Sequence, residues 1–303
     1  MSDSIILVMA ADDNYALPLA VALRSVLTNL DKARDLFVYV LDGGIKDSNK
    51  QRIEKSIKSK NCRIEWVQIA EKLYSWARPV KHFSAAAYLR LLVPVLLPID
   101  LSKVIYLDCD LIVNCDLSLL WDVEVGNNYA LAVQDSIMPF VSSSDAVVRY
   151  IELELSPTTK YFNSDVLVIN LKKWRAESIL EKSIEYIKKS GDTLSYPDQE
   201  VLNVLFASLW QELDYRWNQQ IGTIIRQKQV SESFIIHFSS PFKPWTHIGI
   251  AEADALFFQY LSQTKYSNQR FELYLKRWQN LARKNLKIGT RLKEIRFHSL
   301  FCR

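Results

Sequence analysis

Lys103-Val104-Ile105-Tyr106-Leu107-Asp108-Cys109-Asp110 decides how the 303-residue chain is read. Lys103 to Leu107 is a short apolar run with β-branched and aromatic members, the pattern of a buried strand. It ends in two carboxylates spaced i and i+2, which extended backbone puts on one side. Like charges that close together favour a cation between them. One reading is a divalent metal site at the carboxyl edge of an α/β sheet, where such folds bind ligands. The other is a solvated acidic turn.

The flanking sequence supplies the sheet. Ser4 to Ala11, Leu36 to Leu41 and Arg63 to Ile69 read as strands. A helix from about Ala16 to Leu30 and an amphipathic one over 46–60 lie between them. Alternation of this kind predicts an α/β fold with a largely parallel sheet. Downstream, a helix is expected from Ser84 to about Leu97, another over Asp116–Trp121 and a strand at Tyr129–Val133. Residues 136–160 form a long loop around a short helical piece, suited to a lid or an acceptor loop. Tyr161 to Leu171 is an apolar strand interrupted by Asn163, Ser164 and Asp165. Helices at about 178–190 and 198–209 and a strand at Phe234–Phe238 complete the pattern. Asp198 reads also as a helix N-cap.

Composition narrows the class. Hydrophobic content of 49% and charge of 24% are those of a globular chain. Seven glycines, without G-x-G-x-x-G or a Walker A sequence, exclude a glycine-rich phosphate loop. Cys62, Cys109, Cys115 and Cys302 lack C-x-x-C spacing, which suits a reducing cytosol. Ile5–Ala11 is too short to span a bilayer and lacks a basic leader, so a cytoplasmic protein is expected. Residues 265–303 carry eleven Lys and Arg against Glu272 and Glu294. That is +9 of a chain total of +4, leaving −5 on residues 1–264. Within this tail, Phe271, Tyr274, Leu275, Trp278 and Leu281 recur at helical period beside basic residues, the pattern of a helix on an anionic membrane surface. The division expected is a catalytic domain, 1–264, and a basic amphipathic segment, 265–303, that holds the protein at the inner membrane face. Part of that apolar face packing on the domain is the alternative. Nothing points to a nucleic-acid partner.

His237 lies on an apolar strand in Ile-Ile-His-Phe-Ser-Ser-Pro-Phe-Lys-Pro-Trp, residues 235–245. It is either a satisfied core histidine or a ligand. Ser240 and Lys243 follow in a proline-held loop able to grip phosphate oxygens. His82 precedes the helix start at Ser84, where anions are favoured.

Five stretches occur in one order: Ala10-Ala-Asp-Asp-Asn-Tyr15, Tyr106-Leu-Asp-Cys-Asp110, Tyr161-Phe-Asn-Ser-Asp-Val-Leu-Val-Ile-Asn-Leu171, Asp198-Gln-Glu-Val-Leu-Asn203 and His237 with Lys243-Pro-Trp245. From about residue 4 to 250 the chain resembles glycosyltransferase family 8, most closely the bacterial lipopolysaccharide α-galactosyltransferases. The resemblance implies a GT-A type nucleotide-sugar fold, a UDP-hexose donor, Mn²⁺ (with Mg²⁺ as the alternative) and retention of anomeric configuration. Galactose is favoured over glucose, and the acceptor is a glycan, glycolipid or glycoprotein. By position, Asp108, Asp110 and His237 would bind the metal. Ala10, Asp12, Asn14 and Tyr15 match the uridine-binding stretch, with Tyr15 stacking on uracil and Asp12 accepting from its N3–H. Cys109 would lie by the ribose, and Lys243 with the Ser240 backbone would clamp the diphosphate. Arg90, Asp135, Asn163, Ser164, Asp198 and Gln199 match positions around the donor hexose. Two carboxylates and an imidazole suit Mn²⁺ better than the all-oxygen preferences of Mg²⁺ and Ca²⁺.

Retention ordinarily suggests a carboxylate nucleophile, yet the residue matched nearest that face is Gln199. Front-side departure and attack is therefore the favoured mechanism. Asp165 stands where relatives usually carry a small residue, and three readings stay open: an outward-facing replacement, a sugar contact, or a nucleophile. A haloacid-dehalogenase-type phosphatase also begins with D-x-D after a strand, but Leu111-Ile112 follows here in place of the residues it needs. Two further readings are a non-catalytic UDP-sugar-binding protein and a self-glucosylating, glycogenin-like transferase.

Overall fold

The computed structural model describes residues 4–76, 85–227 and 230–283. β1 (Ile5–Ala11), α1 (Ala16–Asn29), β2 (Leu36–Asp42), α2 (Asp47–Ser56) and β3 (Cys62–Gln68) alternate as the apolar periodicity requires. A 3₁₀ segment, Ala85–Leu92, runs into α3 (Val93–Leu96), followed by β4 (Lys103–Leu107), β5 (Leu111–Val113), α4 (Ser118–Trp121) and β6 (Ala130–Gln134). Then come β7 (Phe162–Asn170), α5 (Leu171–Ala176), α6 (Ile179–Ser190), α7 (Pro197–Leu205), β8 (Gln211–Glu212), β9 (Gln219–Gln220), α8 (Ile221–Gln227), β10 (Ile235–His237) and α9 (Ala251–Leu261).

Seven strands form one sheet in the order β3-β2-β1-β4-β7-β6-β8. The pairings β1–β2, β2–β3, β1–β4 and β6–β8 are parallel, and β7 runs antiparallel to both its neighbours. The central strands of the sheet are buried on both faces. Ile5, Leu7 and Met9 enter one apolar cluster with α1, while Ile6 and Val8 enter the other with the segment around Tyr88–Val93. This alternation is the two-residue period of a strand acting on an unbroken apolar run. A second sheet, β5-β10-β9, lies beside the end of β4.

The reversed direction of β7 positions the site. Because β7 is antiparallel, its first residues reach the edge where β1 and β4 end. Asp108 N–H donates to Asp165 C=O at 2.9 Å, continuing the register Leu107↔Val166. Phe238 N–H donates to Asp110 C=O at 2.9 Å, which joins the end of β10 to the same edge.

Four local expectations are corrected. The stretch 84–97 is not one α-helix but a 3₁₀ segment followed by a single α turn. Pro94 has no N–H to donate to Arg90 C=O, and its ring excludes that carbonyl. Ser84 itself lies outside the described residues. Residues 136–160 contain turns and no helix. They are fastened by a Phe140↔Lys160 bridge over a small apolar cluster of Met138, Val141, Ala146, Val147 and Tyr161. β7 is continuous through Asn163, Ser164 and Asp165; the irregularity there is a register shift against β6. Asp198 is not the N-cap of α7. That position is Tyr196, and Asp198 sits in the first turn behind Pro197.

Residues 270–283 are helical. Tyr274 stacks on Phe258 of α9 at 4.5 Å, and Arg277, 5% exposed, pairs with buried Asp254 and donates from Nε to His247 C=O at 3.0 Å. Phe271, Leu275 and Trp278 stay exposed at 80%, 50% and 62%. The apolar face read from the sequence is therefore divided: one side docks, and the i, i+4, i+7 row of 271, 275 and 278 faces outward. Residues from 284 onward lie outside the described part. No described helix is long and apolar enough to cross a membrane.

Candidate active site

A cavity of about 390 Å³ opens at the sheet edge where β1, β4, β7 and β10 meet. It is lined by Ala10, Asp12, Asn14 and Tyr15 from the end of β1, and by Asp108, Cys109 and Asp110 after β4. Asn163, Ser164 and Asp165 enter from β7, Asp198 and Gln199 from α7, and His237 and Lys243 from β10 and its loop, with Arg90 and Asp135 behind. Two expected residues are not among them. Ser239 rather than Ser240 lines the cavity; the Ser240 hydroxyl is occupied with the Phe242 backbone. His82 lies outside the described residues.

Arg90 organises the floor. It is 4% exposed, with its guanidinium over the Tyr106 ring at 4.8 Å. Nη2 donates to both Asp108 oxygens at 2.9 and 3.0 Å, Nη1 donates to Asp165 Oδ1 at 2.9 Å, and Nε lies 2.8 Å from Asp198 Oδ2. One cation thus holds three carboxylates from β4, β7 and α7. A planar guanidinium suits this because its five donors point in fixed directions. Burial pushes the Asp108 carboxyl well up despite Arg90, with Asp165 and Asp110 adding to the rise. Asp165 is buried too, but Arg90 and His237 outweigh burial and hold its carboxyl down at about 2.

His237 is 1% exposed. Its Nε2 stands 3.3 Å from Asp165 Oδ2 and 3.7 Å from Asp110 Oδ1, while Nδ1 is 2.9 Å from Asn218 Oδ1. Lys243 Nζ pairs with Asp110 Oδ2 and donates to Phe238 C=O at 2.6 Å. Asp135 is saturated with donors. Oδ1 accepts from the backbone N–H groups of Ile137 and Met138 at 2.8 and 2.9 Å. Oδ2 accepts from Asn163 and Gln220 at 3.2 Å each and from Gln199 at 3.4 Å. Gln199 Oε1 in turn accepts from Ser164 N–H at 3.0 Å.

At the β1 end of the cavity, Asp12 Oδ1 caps the turn that follows β1 by accepting from the N–H groups of Asn14 and Tyr15 at 3.0 and 3.2 Å. Its Oδ2 makes only a 3.4 Å contact with Asn14 and keeps room for a further donor. Tyr15 is 36% exposed and meets Trp245 edge-on at 6.0 Å. Cys109 Sγ lies 3.2 Å from Ala10 C=O, and burial keeps its thiol protonated.

The donor set fits a divalent cation chemically. Six aspartates line the cavity against Arg90 and Lys243. The imidazole Nε2 stands 3.7 Å from Asp110 Oδ1, against roughly 3 Å between neighbouring ligands of an octahedral ion with bonds of about 2.1 Å, and Asp165 Oδ2 lies nearer, at 3.3 Å. Among the described residues, no three such groups already enclose one point. Arg90 holds Asp108 and Lys243 holds Asp110, so both carboxylates would exchange a protein cation for the metal.

Asn218 and Gln220 were missed from the sequence. Both are buried, at 3% exposure, and both join the network around Asp135. The consecutive amides Asn218-Gln219-Gln220 were the available signal.

The family model for glycosyl transferase family 8 matches residues 6–249. General stress protein A of Bacillus subtilis is 34% identical over 277 residues, 86% of this chain and 94% of that protein. Lipopolysaccharide 1,2-glucosyltransferase of Escherichia coli is 29% identical over 245 residues, 77% of this chain and 70% of that enzyme. The crystal structure of galactosyltransferase LgtC in complex with donor and acceptor sugar analogues superposes with a TM-score of 0.72 at 28% identity, covering 86% of this chain and 96% of that one. The mixed seven-stranded sheet flanked by helices is accordingly the GT-A type arrangement.

Proposed function

The chain belongs to glycosyltransferase family 8, and on that footing we propose that it is a retaining, UDP-hexose-dependent transferase. The donor is UDP-galactose, with UDP-glucose next, and the acceptor is a glycan on a lipid or protein. The observation that carries the reading is the convergence of Asp108, Asp110, His237 and Lys243 in one cavity with Tyr15 at one end and Asp198–Gln199 at the other. That is the layout a base, a diphosphate and a hexose require.

Tyr15 stacks on uracil, and Asp12 Oδ2 accepts from its N3–H. Asp108, Asp110 and His237 would hold a Mn²⁺ ion. Bound there, such an ion supplies charge neutralisation to the leaving diphosphate without proton transfer. Lys243 donates to the same phosphate oxygens once it leaves Asp110. Arg90, fixed by three aspartates and the Ser164 carbonyl, holds Asp198 at the sugar side and Asp165 against His237. Gln199 is held between Ser164 and Asp135, and an amide is a poor nucleophile. The anomeric carbon–phosphate bond therefore breaks on the face where the acceptor hydroxyl attacks. That hydroxyl's proton passes to the departing phosphate oxygen, and the α configuration is kept.

The exposed row of Phe271, Leu275 and Trp278, continued by the basic sequence beyond it, supports a second part of the reading. The tail rests on an anionic membrane surface on the cytoplasmic side, near a lipid-linked acceptor. UDP release from a panel of UDP-sugars, followed by NMR of the glycoside formed, tests the assignment. A retained α-linkage is expected, and an inverted product would overturn it.

A further inference from the structure

Four buried side chains form a hydrogen-bond relay whose direction is set at the Asp135 end. At one end stands Asp135, 3% exposed. Five donors converge on its carboxylate, from Ile137, Met138, Asn163, Gln199 and Gln220. Five donors leave no oxygen lone pair for a proton, so Asp135 only accepts. Asn163 must then present its NH₂ to Asp135, at 3.2 Å, and its carbonyl oxygen to the other side. The Asp165 backbone N–H, an obligatory donor, points at that same oxygen from 3.1 Å and fixes the orientation a second time. Asn218 meets Asn163 Oδ1 at 2.7 Å, so the atom facing it is the Asn218 NH₂. The Asn218 carbonyl oxygen is left facing His237 Nδ1 at 2.9 Å.

Reversing either amide breaks the chain. A flipped Asn218 sets two oxygens 2.7 Å apart with no proton between them. A flipped Asn163 sets its NH₂ against the Asp165 N–H and its oxygen against a carboxylate. Buried polar groups are seldom left that way. Nδ1 of His237 therefore carries a hydrogen, and any lone pair the ring offers a cation lies on Nε2. Nε2 is the nitrogen that faces Asp110 and Asp165.

We propose that Asn218 is a positioning residue that fixes the tautomer of His237 and so presents Nε2 to the cation held by Asp108 and Asp110. This rests on the metal reading above. A hydrogen-bond acceptor on the far ring nitrogen also orients the ring and strengthens the ligating nitrogen as a donor. Because the relay starts at Asp135 and passes through Asn163, it joins the hexose end of the cavity to the metal end through four side chains.

The test uses the full-length protein labelled with ¹⁵N-histidine, with His237→Gln to assign the signals. Long-range ¹H–¹⁵N spectra of the metal-free wild type at pH 8 should show a hydrogen on His237 Nδ1. Asn218→Ala should give a mixture of tautomers and weaken Mn²⁺ binding, titrated calorimetrically in the presence of UDP, by about 10- to 100-fold. Asn163→Ala, which breaks the relay without touching His237, should also mix the tautomers and serves where Asn218→Ala does not fold. A wild-type ring protonated at Nε2 alone would overturn the proposal. So would an Asn218→Ala protein that keeps the tautomer and a Mn²⁺ affinity within twofold. Wild-type protein that binds no Mn²⁺ would defeat the metal reading, and the metal-free spectra would still decide the role of Asn218.

Discussion

His237 Nε2 and Asp165 Oδ2 face each other at 3.3 Å, with Arg90 holding the other Asp165 oxygen at 2.9 Å. The Asp165 carboxylate is thus turned towards the His237 imidazole and a fixed cation. A nucleophile needs a free oxygen aimed at the anomeric carbon, and both oxygens of Asp165 are engaged. Asp165→Asn should retain measurable turnover, lowered by about 10- to 100-fold through weaker charge stabilisation. Azide should not rescue it. An inactive Asp165→Ala enzyme restored by azide would make Asp165 the nucleophile.

Arg90 carries a different expectation. It is the shared partner of Asp108, Asp165 and Asp198. Arg90→Met should destabilise the protein by about 3–5 kcal/mol, because breaking a buried ion pair strands the carboxylates. The loss should appear as a lower midpoint in denaturant and not only as lost activity. Wild-type stability in Arg90→Met would show that the aspartates do not depend on it.

Much of this site was legible. The apolar runs Ile5–Ala11 and Lys103–Leu107 announced parallel strands, and their polar ends fell at one edge because parallel strands end together. The role of Arg90 was not legible from its surroundings. It sits in an Ala- and Leu-rich stretch, and its three aspartates lie 18, 75 and 108 positions away. Asn218 and Gln220 were missed for the same reason, since their partners Asn163 and Asp135 are 55 and 85 residues distant. Pairings of that span depend on β7 running backwards between β4 and β6. Pro94 was legible locally, and the break it makes in the helix follows from its missing N–H.

Base selectivity follows from Asp12. On the proposed reading its Oδ2, which takes only a 3.4 Å bond from Asn14, would accept from uracil N3–H, whereas cytosine presents an acceptor at that position. UDP-sugar should be preferred to CDP-sugar by a hundredfold or more, about 3 kcal/mol, the scale of an unpaired buried polar group. Comparable kcat/KM for the two donors would remove this role.

The turn carrying Asp12 and Tyr15 is tied to the start of α2 by Asp13, which accepts from Asn49 Nδ2 at 2.7 Å and Lys46 N–H at 3.0 Å. The Asn49 side chain and the Lys46 backbone hold its carboxyl down at about 2. A depressed carboxyl adds stability above its ordinary value near 4 and loses it as pH falls through about 2. Asp13→Ala should therefore cost about 1–2 kcal/mol at pH 7, and the gap to wild type should narrow as pH falls from 4 towards 2. Urea unfolding at several pH values would measure this, and a gap independent of pH would contradict it.

For the tail, the divided helix face sets the design. A cut at residue 266 would remove Arg277 and strand Asp254, so the informative variant is Phe271→Ser/Leu275→Ser/Trp278→Ser. It should lose sedimentation with anionic vesicles at low salt and keep hydrolysis of the donor. Unchanged sedimentation would move membrane contact elsewhere.

The central claim is metal-assisted departure of UDP from a hexose at Asp108, Asp110 and His237. The direct measurement is UDP release from UDP-galactose and UDP-glucose by the purified full-length chain, with Mn²⁺, with EDTA, and with Asp110→Ala. Release should occur with Mn²⁺, stop in EDTA, return when Mn²⁺ is restored, and fall at least a hundredfold in Asp110→Ala, roughly 3 kcal/mol of transition-state stabilisation. Full release in EDTA, or wild-type rates from Asp110→Ala, would contradict it.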